Sequence, residues 1–169
     1  ALEGGLRVPL IIAGPGIEIG NESQVPVSGS DILPTIKDLA GKSNFKLTEI
    51  DGGSFKSILL DPSKVTVKRD IDGIFFHVPY KNGIALKRPH SAVRKGDFKL
   101  VKFQDNGELF LYNITVDKKE SSNLVFKNPK KTKELEKLLM NYLKEVHAPK
   151  WQEGITWKGL PLSQINSTY

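Results

Sequence analysis

The chain is 169 residues long, 38% apolar and 26% charged, with 15 Gly and 10 Pro, a composition that excludes collagen-like, low-complexity and disordered chains. It has no cysteine, which removes disulfides, thiolate nucleophiles and cysteine zinc sites, and no run approaches the roughly 18 apolar residues of a membrane-spanning helix. Lys plus Arg number 25 against 19 Asp plus Glu, a formal charge of +6 that suits a polyanionic partner but is also common among proteins that bind none.

In chain order, Val8 to Ala13 is a continuous apolar run closed by Gly14-Pro15-Gly16, which predicts a strand buried on both faces, as in a parallel α/β sheet. Ile32, Leu33, Ile36, Leu39 and Ala40 then repeat at helical spacing. This predicts a helix over 31–40 with Ser30 as N-cap, Pro34 at the fourth position and Gly41 as a left-handed stop. Asp51-Gly52-Gly53 reads as a turn, and Ser54 to Leu60 as a short helix.

Beyond Asp61-Pro62 the pattern becomes antiparallel. The stretches 73–79, 90–95, 98–103 and 108–114 are short and β-prone, punctuated by the turn signals Lys95-Gly96-Asp97 and Asn106-Gly107. Asn128-Pro129 opens an amphipathic helix over about 129–147, whose Leu135, Leu138, Leu139, Tyr142, Leu143 and Val146 need a sheet face to cover. The tail 151–169 shows no period and reads as a wrapping segment.

The order of short motifs is more specific than any one of them. EGGLRVPLIIAGPG at 3–16 is followed by SGSDILPTIKDLAG at 28–41, Asp51-Gly52-Gly53-Ser54, FFHVPY at 75–80, RPHSAVRKGDFKLV at 88–101, ELFLYNI at 108–114 and DKKESSNL at 117–124. This succession resembles the C-terminal part of the sulfatase family, in the alkaline-phosphatase-like superfamily, over about 1–145.

The resemblance implies an α/β fold in two pieces: the last strand and helices of the large α/β domain (1–65), then a C-terminal subdomain of four-stranded antiparallel sheet packed by an amphipathic helix (66–150), with the tail 151–169. It implies hydrolysis of sulfate esters of sugars or aryl groups by an intact enzyme that uses calcium and a formylglycine nucleophile. Formylglycine arises from Cys or Ser in a C/S-x-P-x-R context, and the chain contains none. Catalytic residues and metal ligands are therefore expected upstream of this sequence, and the chain alone is expected to be inactive. The family also implies a periplasmic or secreted enzyme. No aromatic and basic residues interleave as in single-strand or groove-reading motifs, and no apolar run is long enough to span a membrane, so neither nucleic acid nor membrane is expected as a partner. Self-association is expected through apolar surface that the upstream domain would cover.

For binding, the resemblance places the FFHVPY segment on the active-site rim and nominates His77, Lys81, Arg88 and His90 as substrate contacts. The residues themselves also support plainer roles. His77 can be a sheet-face histidine bonded to a neighbour, and His90, Ser91 and Asp97 lie at hairpin positions that do not assemble a triad. Glu3, Arg7 and Asp31 read as ion-pair and capping residues, Arg94 and Lys99 as members of a buried or cross-strand ion pair. Lys127, Lys130, Lys131 and Lys133 crowd the start of the last helix, where the helix dipole disfavours cations. Two rival functions remain: a non-catalytic basic module for an acidic glycan, and a phosphodiesterase or phosphonate hydrolase of the same superfamily.

Overall fold

The computed structural model describes residues 2–41, 50–81, 87–153 and 168–169. Its elements follow as α1 (Glu3–Leu6), a 3-10 turn (Gly29–Asp31), α2 (Ile32–Leu39), α3 (Lys56–Leu60), β1 (Ile74–Val78), β2 (His90–Lys95), β3 (Phe98–Phe103), β4 (Leu109–Asn113) and α4 (Pro129–Glu145). Two compact units result, Ala1–Val8 with Gly73–Tyr169, and Pro9–Asp72.

In the larger unit the strands pair antiparallel in the order β1-β2-β3-β4. Both predicted turn glycines have left-handed backbone, Gly96 at φ +56° and Gly107 at φ +74°, conformations that cost other residues more. Strand alternation divides the side chains cleanly. Val93, Leu100 and Leu111 lie in register and pack against Leu135, Leu139 and Leu143 of α4, all at 0–1% exposure. Phe75 joins this face by stacking on Tyr142 with ring centroids 3.9 Å apart. At about 1.5–3 kcal/mol per buried aliphatic side chain, this interface is the main reason α4 stays on the sheet. On the opposite face Phe76, Ala92, Val101, Phe110, Tyr112 and Ile114 form a second cluster.

The motif DKKESSNL closes the exposed edge of β4. Asn123 Oδ1 accepts the Leu111 N–H at 3.0 Å, and the Leu124 N–H donates to the Leu111 carbonyl at 2.8 Å. A strand edge with its backbone groups satisfied no longer templates pairing with another chain. The described end of the tail also returns to the larger unit: Pro149 bridges Thr168, and the Tyr169 N–H donates to the Ala148 carbonyl at 3.0 Å.

The smaller unit centres on Asp31, which is fully buried. Its Oδ1 accepts from the Gly53 N–H at 2.8 Å and from Arg69 Nε at 2.9 Å; its Oδ2 accepts from Arg69 Nη2 and from the Ser28 N–H, both at 2.6 Å. Thr35 continues the link, donating to the Asp31 carbonyl at 2.7 Å and accepting the Phe55 N–H at 3.0 Å. Gly52 is required by closeness: a Cβ there would lie 1.9 Å from the Ser30 carbonyl oxygen. The motifs at 28–41 and 51–54 are thus two halves of one buried polar joint.

Two expectations need correction. Val8 to Ala13 is irregular and largely exposed, with Val8 at 73% and Ile11 at 90%. A buried parallel strand needs hydrogen-bonded neighbours, and no described residue pairs with this run. The helix at 31–40 begins one residue later, at Ile32, because the 3-10 turn precedes it and Asp31 accepts the Ser28 N–H. Pro34 is consequently its third residue, still within the turn whose N–H groups lack intrahelical partners. Gly41 stops it at φ +68°, as its sequence position predicts.

Candidate functional site

His77 projects from β1 onto the α4 side of the sheet, opposite Ser91 in register. Its Nε2 lies 2.8 Å from the Pro149 carbonyl, which can only accept, so Nε2 carries the proton. Nδ1 is then an acceptor, 2.9 Å from Ser91 Oγ. Gln104 Nε2 donates to the same Oγ at 3.0 Å, while Gln104 Oε1 accepts the Trp151 N–H at 3.1 Å. The result is a polar clasp that ties β1, β2 and the loop after β3 to residues 149–151.

Burial pushes the His77 pKa below its ordinary value, against the opposing pull of the Pro149 carbonyl. The ring is therefore neutral at pH 7. Ser91 and His77 have the atoms of a nucleophile–base pair, but Ser91 is only 1% exposed, and the second ring nitrogen meets a carbonyl rather than a carboxylate. This geometry holds chain segments together and does not activate a hydroxyl for attack.

Lys81 is exposed beside this clasp, its Nζ 5.7 Å from the centre of the Trp151 ring. The Trp151 indole N–H is buried and meets no hydrogen-bond partner among the described residues. Tyr169 sits edge-on to His77, with ring centroids 6.1 Å apart. Lys81, Trp151 and Tyr169 thus flank the clasp with one exposed cation and two rings.

Arg88 and His90 lie elsewhere. His90 is 2% exposed on the opposite face of the sheet from His77, its Nδ1 2.7 Å from the Arg88 carbonyl, and burial lowers its pKa. Arg88 grips Asp105 with two bonds of 2.8 Å, reaches Glu108 at 3.1 Å and lies 3.9 Å over the Phe103 ring. The paired guanidinium holds the Asp105 carboxyl below the usual carboxylate range. Of the four residues nominated by the sequence, His77 and Lys81 come together, and Arg88 and His90 form a separate pair.

The charged residues read as structural join a different buried group. Lys99 Nζ lies 3.0 Å from Glu3 Oε1 and 2.5 Å from Glu120 Oε1; Arg94 Nη1 lies 3.5 Å from Glu3 Oε2. The Glu3 N–H donates to Glu120 Oε2 at 2.7 Å. Sequence reasoning did not single out Gln104 or Trp151, whose segments carry no periodicity. Among the described residues no three His, Cys, Asp or Glu side chains gather to hold a metal ion.

With this geometry in hand, comparison with known proteins is specific. Residues 1–149 match the family described as N-sulphoglucosamine sulphohydrolase, C-terminal. Arylsulfatase K of Danio rerio is 29% identical over 164 residues, covering 92% of this chain and 30% of that protein. A Formosa agariphila protein named Sulfatase is 33% identical over 136 residues, covering 75% of this chain and 24% of its own length. Among solved structures, BT4656 in complex with its substrate D-glucosamine-2-N,6-O-disulfate superposes with a TM-score of 0.54 at 28% identity, over 68% of this chain and 23% of its own. The chain spans less than a third of the length of these relatives.

Proposed function

The chain belongs to the N-sulphoglucosamine sulphohydrolase C-terminal family of sulfatases, and from that membership we propose that it is the C-terminal part of an enzyme hydrolysing sulfate esters of sulfated sugars. The observation that carries the reading is the family match over 1–149 in a chain with no cysteine and no Ser-x-Pro-x-Arg context. A sulfatase of this kind needs its formylglycine and calcium from residues outside this sequence. The chain would then support the fold and one wall of the substrate cleft and would release no sulfate by itself. The sugar preference draws on the disulfated glucosamine bound by BT4656. A periplasmic or secreted location follows from the same family reading; no helix among the described residues is long and apolar enough to cross a membrane.

Within that wall we assign substrate contact first to Lys81, an exposed cation beside an indole, where a sugar ring could stack and a sulfate could pair. His77 holds the segment bearing Trp151, and Arg88 with His90 shape a second stretch of the rim.

The test measures sulfate released from D-glucosamine-2-N,6-O-disulfate by this chain and by the longer protein that contains it. Release by the longer protein only is expected. Cleavage of a phosphodiester with the sulfate ester untouched would transfer the assignment to the phosphohydrolase branch. In the longer protein, Lys81→Ala is expected to raise KM about tenfold with kcat little changed, the result of losing one charged contact worth about 1.4 kcal/mol.

A further inference from the structure

The basic residues of α4 are not scattered around it. At 100° per residue, Lys130, Lys133, Lys137 and Lys144 fall on one line along the helix, on the side away from buried Leu135, Leu139 and Leu143, and all four are exposed. Lys130 and Lys144 are 14 residues apart, so the stripe runs about 21 Å. Two of the helix carboxylates that could neutralise it are engaged by lysines off the line: Glu134 by Lys131 at 2.7 Å and Glu136 by Lys102 of β3 at 2.6 Å. The four stripe lysines have no carboxylate within ion-pairing distance among the described residues. At its C-terminal end the stripe meets a shallow open pocket lined by Asn141, Lys144, Glu145, His147 and Tyr169. Tyr169 carries Lys150 over its ring at 5.5 Å and packs edge-on to His77. The line of cations therefore leads to the clasp beside Lys81.

We propose that this stripe is a docking track for a sulfated polysaccharide chain, holding the polymer along α4 while one end reaches the rim at Tyr169 and His77. The inference rests on the sulfated-sugar reading above and deepens it: the substrate is polymeric, bound at several sugars beyond the one cleaved. Charge complementarity commits it to a linear polyanion. Unpaired lysines in a row keep their full field, whereas lysines paired with carboxylates do not. A row of point charges with rotatable donors suits sulfates spaced along a flexible chain.

The experiment compares binding of a heparin oligosaccharide to this chain with binding to two variants of equal net charge. One replaces the stripe (Lys130→Gln, Lys133→Gln, Lys137→Gln, Lys144→Gln), the other replaces exposed lysines elsewhere (Lys64→Gln, Lys68→Gln, Lys118→Gln, Lys119→Gln). Circular dichroism melting establishes that both fold. Stripe replacement is expected to weaken binding at least tenfold and to lower the slope of log affinity against log salt by roughly 3, by analogy with about 0.7–0.9 per neutralised phosphate. The off-stripe variant is expected to retain most of the affinity. Equal losses in the two variants, or undiminished binding without the stripe, would overturn the proposal. So would equally tight, stripe-dependent binding to a DNA duplex or to vesicles of phosphatidylserine and phosphatidylcholine, since the track would then select no glycan. Because the readout is binding, a stripe that grips heparin in this chain, while the longer protein containing it releases no sulfate, would refute the sulfatase reading and leave the track standing.

Discussion

Lys99 and Glu3 are 96 positions apart in sequence, yet the ammonium lies 3.0 Å from the carboxylate, and the lysine is wholly excluded from solvent. Glu120 completes the neutralisation on the other side, and Glu3 also binds Glu120 through its own N–H. A buried lysine is tolerated only with such partners, because an unpaired ion in a low dielectric costs several kcal/mol. The pair thus anchors α1 to the sheet.

Lys99→Met removes the cation and leaves two carboxylates facing each other in a buried site. Breaking a buried ion pair from one side costs about 3–5 kcal/mol. At about 2–4 °C per kcal/mol for a chain of this size, melting should fall by about 6–20 °C. Thermal unfolding followed by circular dichroism checks this; a change below about 2 °C would mean the charges are solvated in solution.

Asp31 makes a pH-dependent contribution whose direction is fixed by its partners. Burial alone would raise its pKa, but the Arg69 guanidinium and the Gly53 and Ser28 N–H groups outweigh that and hold the carboxyl below its ordinary 3.8. A carboxyl depressed in the folded state stabilises it fully above the unfolded value and loses that contribution as pH falls below about 3.8 toward the folded value. Asp31→Asn should therefore be destabilised by about 3 kcal/mol at pH 7, and its stability should depend less on pH below 4 than that of the unaltered chain. Denaturant titrations at pH 3 and pH 7 measure both effects. A variant with the same acid sensitivity as the parent would rule out Asp31 as the source.

The sheet and α4 could be read from the sequence because their signals are local. Alternation, Gly96, Gly107, Asn128-Pro129 and the leucine spacing each act within a few residues, and all four strand stretches agree with the structure to within one residue at each end. The structural roles of Glu3, Asp31, Arg94 and Lys99 were also legible as charges needing partners, although Arg69 was not named for Asp31. Val8 to Ala13 misled because an apolar run specifies burial, whereas strand structure requires a neighbour that no described residue supplies. The clasp was only half visible. His77 stood in a recognisable segment, but Gln104 and the Pro149 carbonyl reach it across 27 and 72 residues, and nothing local marks such a contact.

Gly52 offers a steric test of the smaller unit. Its φ is unexceptional, but any Cβ would overlap the Ser30 carbonyl oxygen at 1.9 Å, and that atom is backbone and cannot swing aside. Gly52→Ala should force the turn away from the 3-10 segment, weaken the Gly53-to-Asp31 bond and cost about 3 kcal/mol. Gly96→Ala in the larger unit is a useful contrast, since that position is open but left-handed, and a cost of about 1 kcal/mol is expected there. Amide hydrogen exchange resolves the two units: protection should fall within Pro9–Asp72 for the first variant and within β2 and β3 for the second. Uniform loss across the chain in both would show that the units do not respond separately.

The clasp around His77 should make the larger unit sensitive to mild acid. With its folded pKa lowered, neutral His77 is stabilising at pH values above the unfolded value of about 6.5, and this is lost as pH falls from there toward the folded value, because the unfolded chain binds the proton more readily. Protonation at Nδ1 reverses the acceptor that Ser91 Oγ uses and puts charge beside Tyr169 and the Gln104 amide, with no carboxylate among those contacts to offset it. His90, also depressed by burial, adds in the same direction. His77→Gln keeps a donor and an acceptor but cannot titrate. Losing the fitted ring should cost about 1–3 kcal/mol at pH 7.5, and the further loss on moving to pH 5.5 should be smaller than in the unaltered chain, with the remainder traceable to His90→Gln. Exchange protection of the Trp151 and Tyr169 amides across the same pH interval reports on the clasp directly. If those amides stay equally protected at both pH values in the unaltered chain, His77 is not what holds the tail in place.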